Sequence, residues 1–412
     1  MLRSRLALAA SAAVAVVSIL TAPLSVEARR CGEEPPKTLL ALYRESAEIH
    51  IAKLDREIET GIIEEGESYR VFGIQRQFSI STTLKGETRK FIAIDDQEYR
   101  YTGQEPEPVE EGPDEHMVGT KVGDTVMLFV KPSEEDKTKL VLSHYRDAEK
   151  KLEAEQMAAY EKMVGSLNSL HANGTPTDDA IVGWLMSVAR DPQTRWEGVS
   201  ELLTSFEYGE YRQERLNYLK EQKAKPEGLE DWEAEELKEL TDDTRDYGNA
   251  RLATRLTAAQ KEELLSLALE IEPKPADGDG KYPQLSEGDR VLMDLVARWG
   301  DSRLVAKMVD SLRSGVEPYQ ASMMMEKIVR LIDDADARKI AERYSGVFYM
   351  DAEESITAER AGEMELTAEE SGIYPNQEGN VPAAVKTFGQ LQNELIGRFV
   401  SRVDVVLTSA AK

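Results

Sequence analysis

The sequence predicts a multidomain α+β protein in which a small β-barrel precedes an all-α region. Three observations predict it. Between Ala47 and Tyr145 several stretches alternate apolar and polar residues with a period of two, the spacing of half-buried strands. After Tyr145 the composition turns to Ala, Glu, Lys and Leu, and apolar residues recur every three or four positions, the spacing of helices. A chain of 412 residues also exceeds what one ordinary core fills, which favours two or three domains.

The first element carries an address. Arg3 and Arg5 precede an apolar run from Leu6 to Leu20, and Val26-Glu27-Ala28 places small or aliphatic side chains where a signal peptidase reads them. These are the three parts of a secretory signal, so residues 1–28 are expected to be removed after Ala28. The run is shorter than the ~20 apolar residues that cross a bilayer, and no later stretch is apolar enough to do so. The mature chain is therefore expected to be periplasmic or extracellular, with no transmembrane segment. Loss of Arg3, Arg5 and Glu27 moves the net charge from −26 to −27, which repels nucleic-acid phosphates and anionic lipid.

Cys31, the sole cysteine, follows Arg29 and Arg30. Two bulky cations at these positions argue against lipoprotein processing, and one cysteine cannot form an internal disulfide. Cys31 is either an inert thiol or an attachment point, through an intermolecular disulfide, for another chain.

The next stretch, KTLLALYRESAE, reads as a short helix with Leu39, Leu42 and Tyr43 turned inward. Strand candidates follow in EIHIAKLDREI, YRVFGIQRQF, the alternation of Phe78, Ile80, Thr82 and Leu84, RKFIAIDD, TVMLFVKP and KLVLSHY. Five or six short strands, broken at Lys85-Gly86, at Val122-Gly123-Asp124 and by the acidic loop Gln104–His116, form a small barrel or sandwich over residues 31–145. Residues 146–172 form a connecting helix with Leu152, Met157 or Tyr160, Val164 and Leu167 near one face. A helical domain spans 173–345, where Thr177 caps a helix whose first turn holds Asp178 and Asp179. Within it, LMSVARDPQTRWEGVSELL and LMDLVARWGDSRLVAKMVDSL share one pattern: helix end, polar turn, second amphipathic helix. Stacked helix pairs and an irregular helical domain both produce it. Residues 346–412 form an acidic segment and a last helix, with Val385, Phe388, Leu391, Leu395, Phe399, Val403 and Val406 on one stripe.

Taken in order, CGEEPPKTLLALYRESAEIHIAKL, the strand pair ending in TTLKGE, VGDTVMLFVKP and LVLSHYRDAEK resemble the netrin-like module. That module is an oligosaccharide-binding (OB) type of barrel shared with tissue inhibitors of metalloproteinases and with bacterial exported proteins. The resemblance covers less than a third of the chain and implies a fold and an extracellular binding role. The inhibitors use an N-terminal cysteine, held in a disulfide, to bind a protease metal; here Arg29 and Arg30 precede Cys31 and no partner cysteine exists, so inhibition is not carried over. The paired helices after residue 173 are loosely similar to HEAT-type repeats.

Chemistry is harder to find. None of His50, His116, His144 and His171 stands three or four residues from another, so no helical pair of metal ligands exists. Asp277-Gly278-Asp279-Gly280-Lys281 resembles the start of a calcium loop, but the sixth position is Tyr282 and the twelfth Gly288, which breaks the frame. Nucleophile elbows, P-loops and dinucleotide fingerprints are missing. With 77 Asp and Glu residues, close carboxylate pairs carry no information. Trp184, Trp196, Trp232 and Trp299 read as core packing, and Asn173-Gly174-Thr175 as a glycosylation sequon wherever that pathway operates. The expectation is an exported, non-enzymatic binding or scaffold protein of the cell envelope, without cofactor or metal, acting on another envelope or extracellular protein. Its alternatives are an inhibitor of secreted metalloproteases and an envelope-polymer hydrolase.

Overall fold

Thr38 precedes the first helix. Its hydroxyl accepts the Ala41 amide at 3.2 Å and so caps α1 (Leu39–Glu45), whose Leu39, Leu40, Leu42 and Tyr43 are all buried. The computed structural model describes residues 36–66, 69–101, 120–144, 147–225, 228–241, 252–274, 283–373 and 386–410. The signal segment, Cys31, the acidic loop with His116, the Asp277–Lys281 turn and Val385 lie outside them. At the other end of α1 the Lys85 ammonium donates to the carbonyls of Tyr43 and Ser46, each at 2.6 Å, and lies 4.1 Å from the Tyr43 ring centre. A cation is thus held at a helix C-terminus by carbonyls and a π face.

Six antiparallel strands follow: β1 (Glu48–Glu65), β2 (Tyr69–Lys85), β3 (Phe91–Tyr101), β4 (Thr125–Pro132), β5 (Leu140–Leu142) and β6 (Glu149–Lys151). The sheet order is β3-β2-β1-β4-β5, with β6 also paired to β4. Two expectations are corrected here. First, β1 and β2 have 18 and 17 residues and are not short, because YRVFGIQRQF and the alternating run after it are one strand. Register shifts such as those at Leu54/Arg56 and Glu59/Gly61 let so long a pair keep its ladder. Second, the barrel is not closed: the sheet ends at β3 and β5, which share no ladder.

The period of two divides β1 and β4 between two cores. Ile49, Ile51, Met127 and Phe129 point to the helices, while Ala52, Leu54, Val126, Leu128 and Val130 join Phe78, Ile92 and Ile94 inside the curl of the sheet. Beyond Lys53, β1 loses β4 as a neighbour and pairs with β2 alone; from Asp55 to Glu65 every residue is exposed.

The stretch expected to be all helix after residue 146 begins as β6. Its pairing of Glu149–Lys151 with Val126–Leu128 satisfies an otherwise open edge of β4, and α2 (Ala154–His171) starts after it. Tyr160, Met163, Val164 and Leu167 form the buried face of α2. Thr177 caps α3 (Asp178–Arg190) as expected, accepting the Ala180 amide. The two look-alike stretches are both helix-turn-helix pairs: α3 with α4 (Arg195–Lys223), and, after α5 (Asp231–Thr241) and α6 (Ala258–Glu270), α7 (Glu287–Ala297) with α8 (Arg303–Ser314). Helix α4 packs on both α3 and α7, and glycine permits the contacts. A Cβ at Gly198 would lie 2.6 Å from the Leu185 carbonyl, and one at Gly288 would lie 2.8 Å from the Trp196 nitrogen.

Then come α9 (Pro318–Ile332), α10 (Ala335–Ser345), the short α11 (Ala358–Glu363) and α12 (Ala368–Ser371), and α13 (Phe388–Ala410). The apolar stripe of α13 docks on α8, α9 and α10, with Phe388, Leu391, Leu395, Phe399 and Val403 buried. Asp334 caps α10 by accepting the Ala337 amide at 2.8 Å and binds Arg402 of α13 at 2.7 and 2.9 Å. These hydrogen bonds, led by that from Arg402, hold its carboxyl down to about 2. One apolar core runs from Leu39 through the helix-facing side of the sheet to Val403, while Leu237 and Leu240 of α5 pack with Leu219 of α4 in a small core of their own. No helix among the described residues is long and apolar enough to cross a membrane.

Candidate functional site

The open side of the curled sheet forms a cleft. Its volume is about 280 Å³, and Gln75, Arg89, Phe91, Asp95, Thr138 and Lys139 are among its lining residues. The alternation of β3 produces it: Ile92 and Ile94 face the inner core, so Phe91, Ala93 and Asp95 face out. Phe91 is 50 % exposed, a large apolar ring left in solvent in a cleft that Arg89 and Lys139 also line.

Both cations are held in place. Lys139 Nζ lies 3.0 Å from Asp95 Oδ2, a side-chain bridge across the gap where a ladder would have closed the barrel. Asp95 also accepts from Gln75 at 3.2 Å. The hydrogen bond from Lys139, then that from Gln75, lowers the Asp95 carboxyl below the usual range, and the same pairing raises the Lys139 ammonium. Arg89 donates twice to Glu48, at 2.8 and 2.9 Å, and once to Glu87 at 2.7 Å. Glu48 in turn meets His50 Nε2 at 3.0 Å, and His50 Nδ1 meets Thr83 at 3.1 Å. A chain of hydrogen bonds therefore runs inward from the cleft.

His50 lies within that chain, between Glu48 and Thr83, and is 0 % exposed. Burial lowers its pKa, and the bond to Glu48 offsets this only in part, so the ring is neutral at pH 7. Burial also raises the Glu48 carboxyl, but bonds from Arg89 and His50 outweigh it and leave the group ionised below its ordinary value. The other described histidines lie elsewhere. His144 Nδ1 sits 3.0 Å from Asp147 just past β5, and His171 packs on the Tyr43 ring with centroids 5.2 Å apart. The structure does not gather the three, and among the described residues no group of three or more His, Cys, Asp or Glu side chains is placed to hold a metal.

The tryptophans divide. Trp184 is buried and donates to Ser166 at 2.8 Å, and Trp196 and Trp299 pack partly into the core, but Trp232 on α5 is 58 % exposed. Asn173 lies in an exposed turn between α2 and α3.

Sequence reasoning missed a buried charged group. Glu197, on the first turn of α4, has a fully buried side chain that accepts from Lys150 Nζ at 2.9 Å, from the Tyr160 hydroxyl at 2.7 Å and from the Leu39 amide. One turn later Glu201 accepts from the Thr38 hydroxyl. Burial, then the neighbouring Glu197 charge, raises the Tyr160 phenol far above its usual range, so it stays a donor. Together these bonds pin α1, β6 and α2 to the start of α4. Their donors come from within the chain, which makes this a structural junction. A Glu four residues from another Glu within an apolar helix face was the available signal.

Comparisons with family models, with curated proteins and with solved structures each found no match. The site is therefore read from its own geometry.

Proposed function

We propose that the protein is an exported, non-enzymatic binding or scaffold protein of the cell envelope, and that its open barrel cleft receives a segment of another envelope or extracellular protein. The observation that carries this reading is Phe91. An exposed aromatic ring beside two oriented ion pairs supplies what interface anchors use: apolar area to desolvate and charges already fixed in direction. Since Arg89 and Lys139 are paired within the chain, neither demands an anionic ligand. The cleft suits a side chain of mixed character, with an apolar body that covers Phe91 and polar groups that reach Asp95 or Arg89. Export rests on the basic start, the short apolar run and Val26-Glu27-Ala28.

A photocrosslinking residue at Ala93, in the cleft, tests the proposal in the native envelope. A discrete adduct is expected, weakened at least tenfold by Phe91→Ala and not formed when the same probe replaces exposed Ser314 on α8. Adducts that are indifferent to Phe91, or the same from both positions, would overturn the assignment of the cleft.

A further inference from the structure

A second, much smaller cavity lies within the helical part, between α7, α8 and α9. Its volume is about 20 Å³; Met293, Met308, Met323 and Met324 line part of it, and Arg290, Asp294, Gln320 and Lys327 bring polar groups to the same wall. Two of those groups are short of partners. Gln320 Oε1 is shielded from solvent and meets no hydrogen-bond donor among the described residues. Asp294 Oδ1 is also shielded and lies 2.7 Å from the Lys327 ammonium, a contact that serves as an ion pair but lacks hydrogen-bond alignment. Arg290 Nη1 stands 3.9 Å from the other Asp294 oxygen.

An uncompensated buried carbonyl costs on the order of 1–3 kcal/mol, and native structures avoid that cost with a protein partner or an ordered water. The cavity is the right size for the second solution. One water needs roughly 10–15 Å³ of such space together with two to four polar neighbours. A larger anion does not fit this volume, and the Asp294 carboxylate would repel it.

We infer that this cavity is a binding site for a single internal water molecule, which donates to Gln320 Oε1 and Asp294 and accepts from Lys327. The water joins α7 to α9 at a place where the methionines supply shape but no hydrogen bonds. Thioether side chains pack adaptably, which lets the wall close around one solvent molecule.

The substitution Gln320→Met decides the matter by its sign. Met matches Gln in length and in helix propensity, so the variant changes little except the side-chain amide, whose carbonyl is the group at issue. If water bridges Gln320, the variant loses a satisfied bond and its unfolding equilibrium constant rises by about tenfold. If the carbonyl is unsatisfied, its removal leaves stability unchanged or higher, and the inference fails. Protein labelled with ¹³C at the methionine methyls gives an independent reading: cross-relaxation with a long-lived water is expected at two or more of Met293, Met308, Met323 and Met324. A lack of such signals in the folded native chain would also overturn the assignment.

Discussion

The two halves of β1 are one strand in two environments. From Glu48 to Lys53 it lies between β4 and β2, and the alternate side chains of Glu48–Leu54 enter separate cores. From Asp55 to Glu65 it keeps the β2 ladder but has no core, and Ile62 stands 51 % exposed. Charge takes the place of burial there: Arg76 meets Glu57 at 3.2 Å, Arg100 of β3 meets Glu59 at 3.0 Å, and the Arg100 guanidinium lies 4.2 Å from the Phe72 ring centre. The difference teaches that a backbone ladder sets the path of a strand, while side-chain surroundings decide how much each residue matters. Exposed ion pairs contribute little singly, but charges along a free edge also discourage pairing with other chains.

The sharpest way to break the comparison is in the inner core. Phe78→Ala should cost about 3–5 kcal/mol, measured by urea unfolding, because the cavity it leaves is walled by Leu54, Ile92 and Leu128. Next is the junction beneath the inner half, where Glu197→Gln should cost about 3 kcal/mol by leaving Lys150 without its buried partner. A smaller loss there would mean that the hydrogen bonds to Tyr160 and Leu39 carry the junction without the charge.

A titration sharpens the comparison further. The folded pKa of His50 is depressed below the ordinary 6.5, so the unfolded chain takes up its proton first as pH falls. The contribution of His50 is therefore complete above about pH 6.5 and is lost as pH drops through that value toward the lower folded one. Glu48, Arg89 and Thr83 face the ring, so His50→Gln should flatten the stability profile as pH falls below about 6.5. An unchanged profile would contradict the neutral buried ring. At the far end of β1, Ile62→Ser should shift stability by no more than about 0.5 kcal/mol. A loss as large as that of Phe78→Ala would mean that the outer half has a core after all.

Much of this arrangement was legible wherever a period could be counted. TVMLFVKP coincides with β4, the inward residues of α1 and the stripe of α13 were read from spacing, and the Thr177 cap from its residue type. Three residues of β6 are too few to show a period, and their Glu and Lys side chains favour helix by composition. Only the open edge of β4 selects a strand there. The cleft was illegible for a related reason: it forms because β3 and β5 fail to join, and an unmade pairing has no local pattern. Glu197 looked like any other of the 77 acidic residues, since its surroundings come from distant parts of the chain.

The bonds at Thr38 and Leu39 also tie the front of the chain to its middle. Their acceptors stand 163 and 158 residues further on. At roughly 5–20 residues per second, the first helix would wait about 8–30 s for Glu197 to be made. During that time the amide of Leu39 and the hydroxyl of Thr38 have only water to bond. A chain whose first helix cannot be locked until its middle arrives remains pliable at the front while the rest is being made.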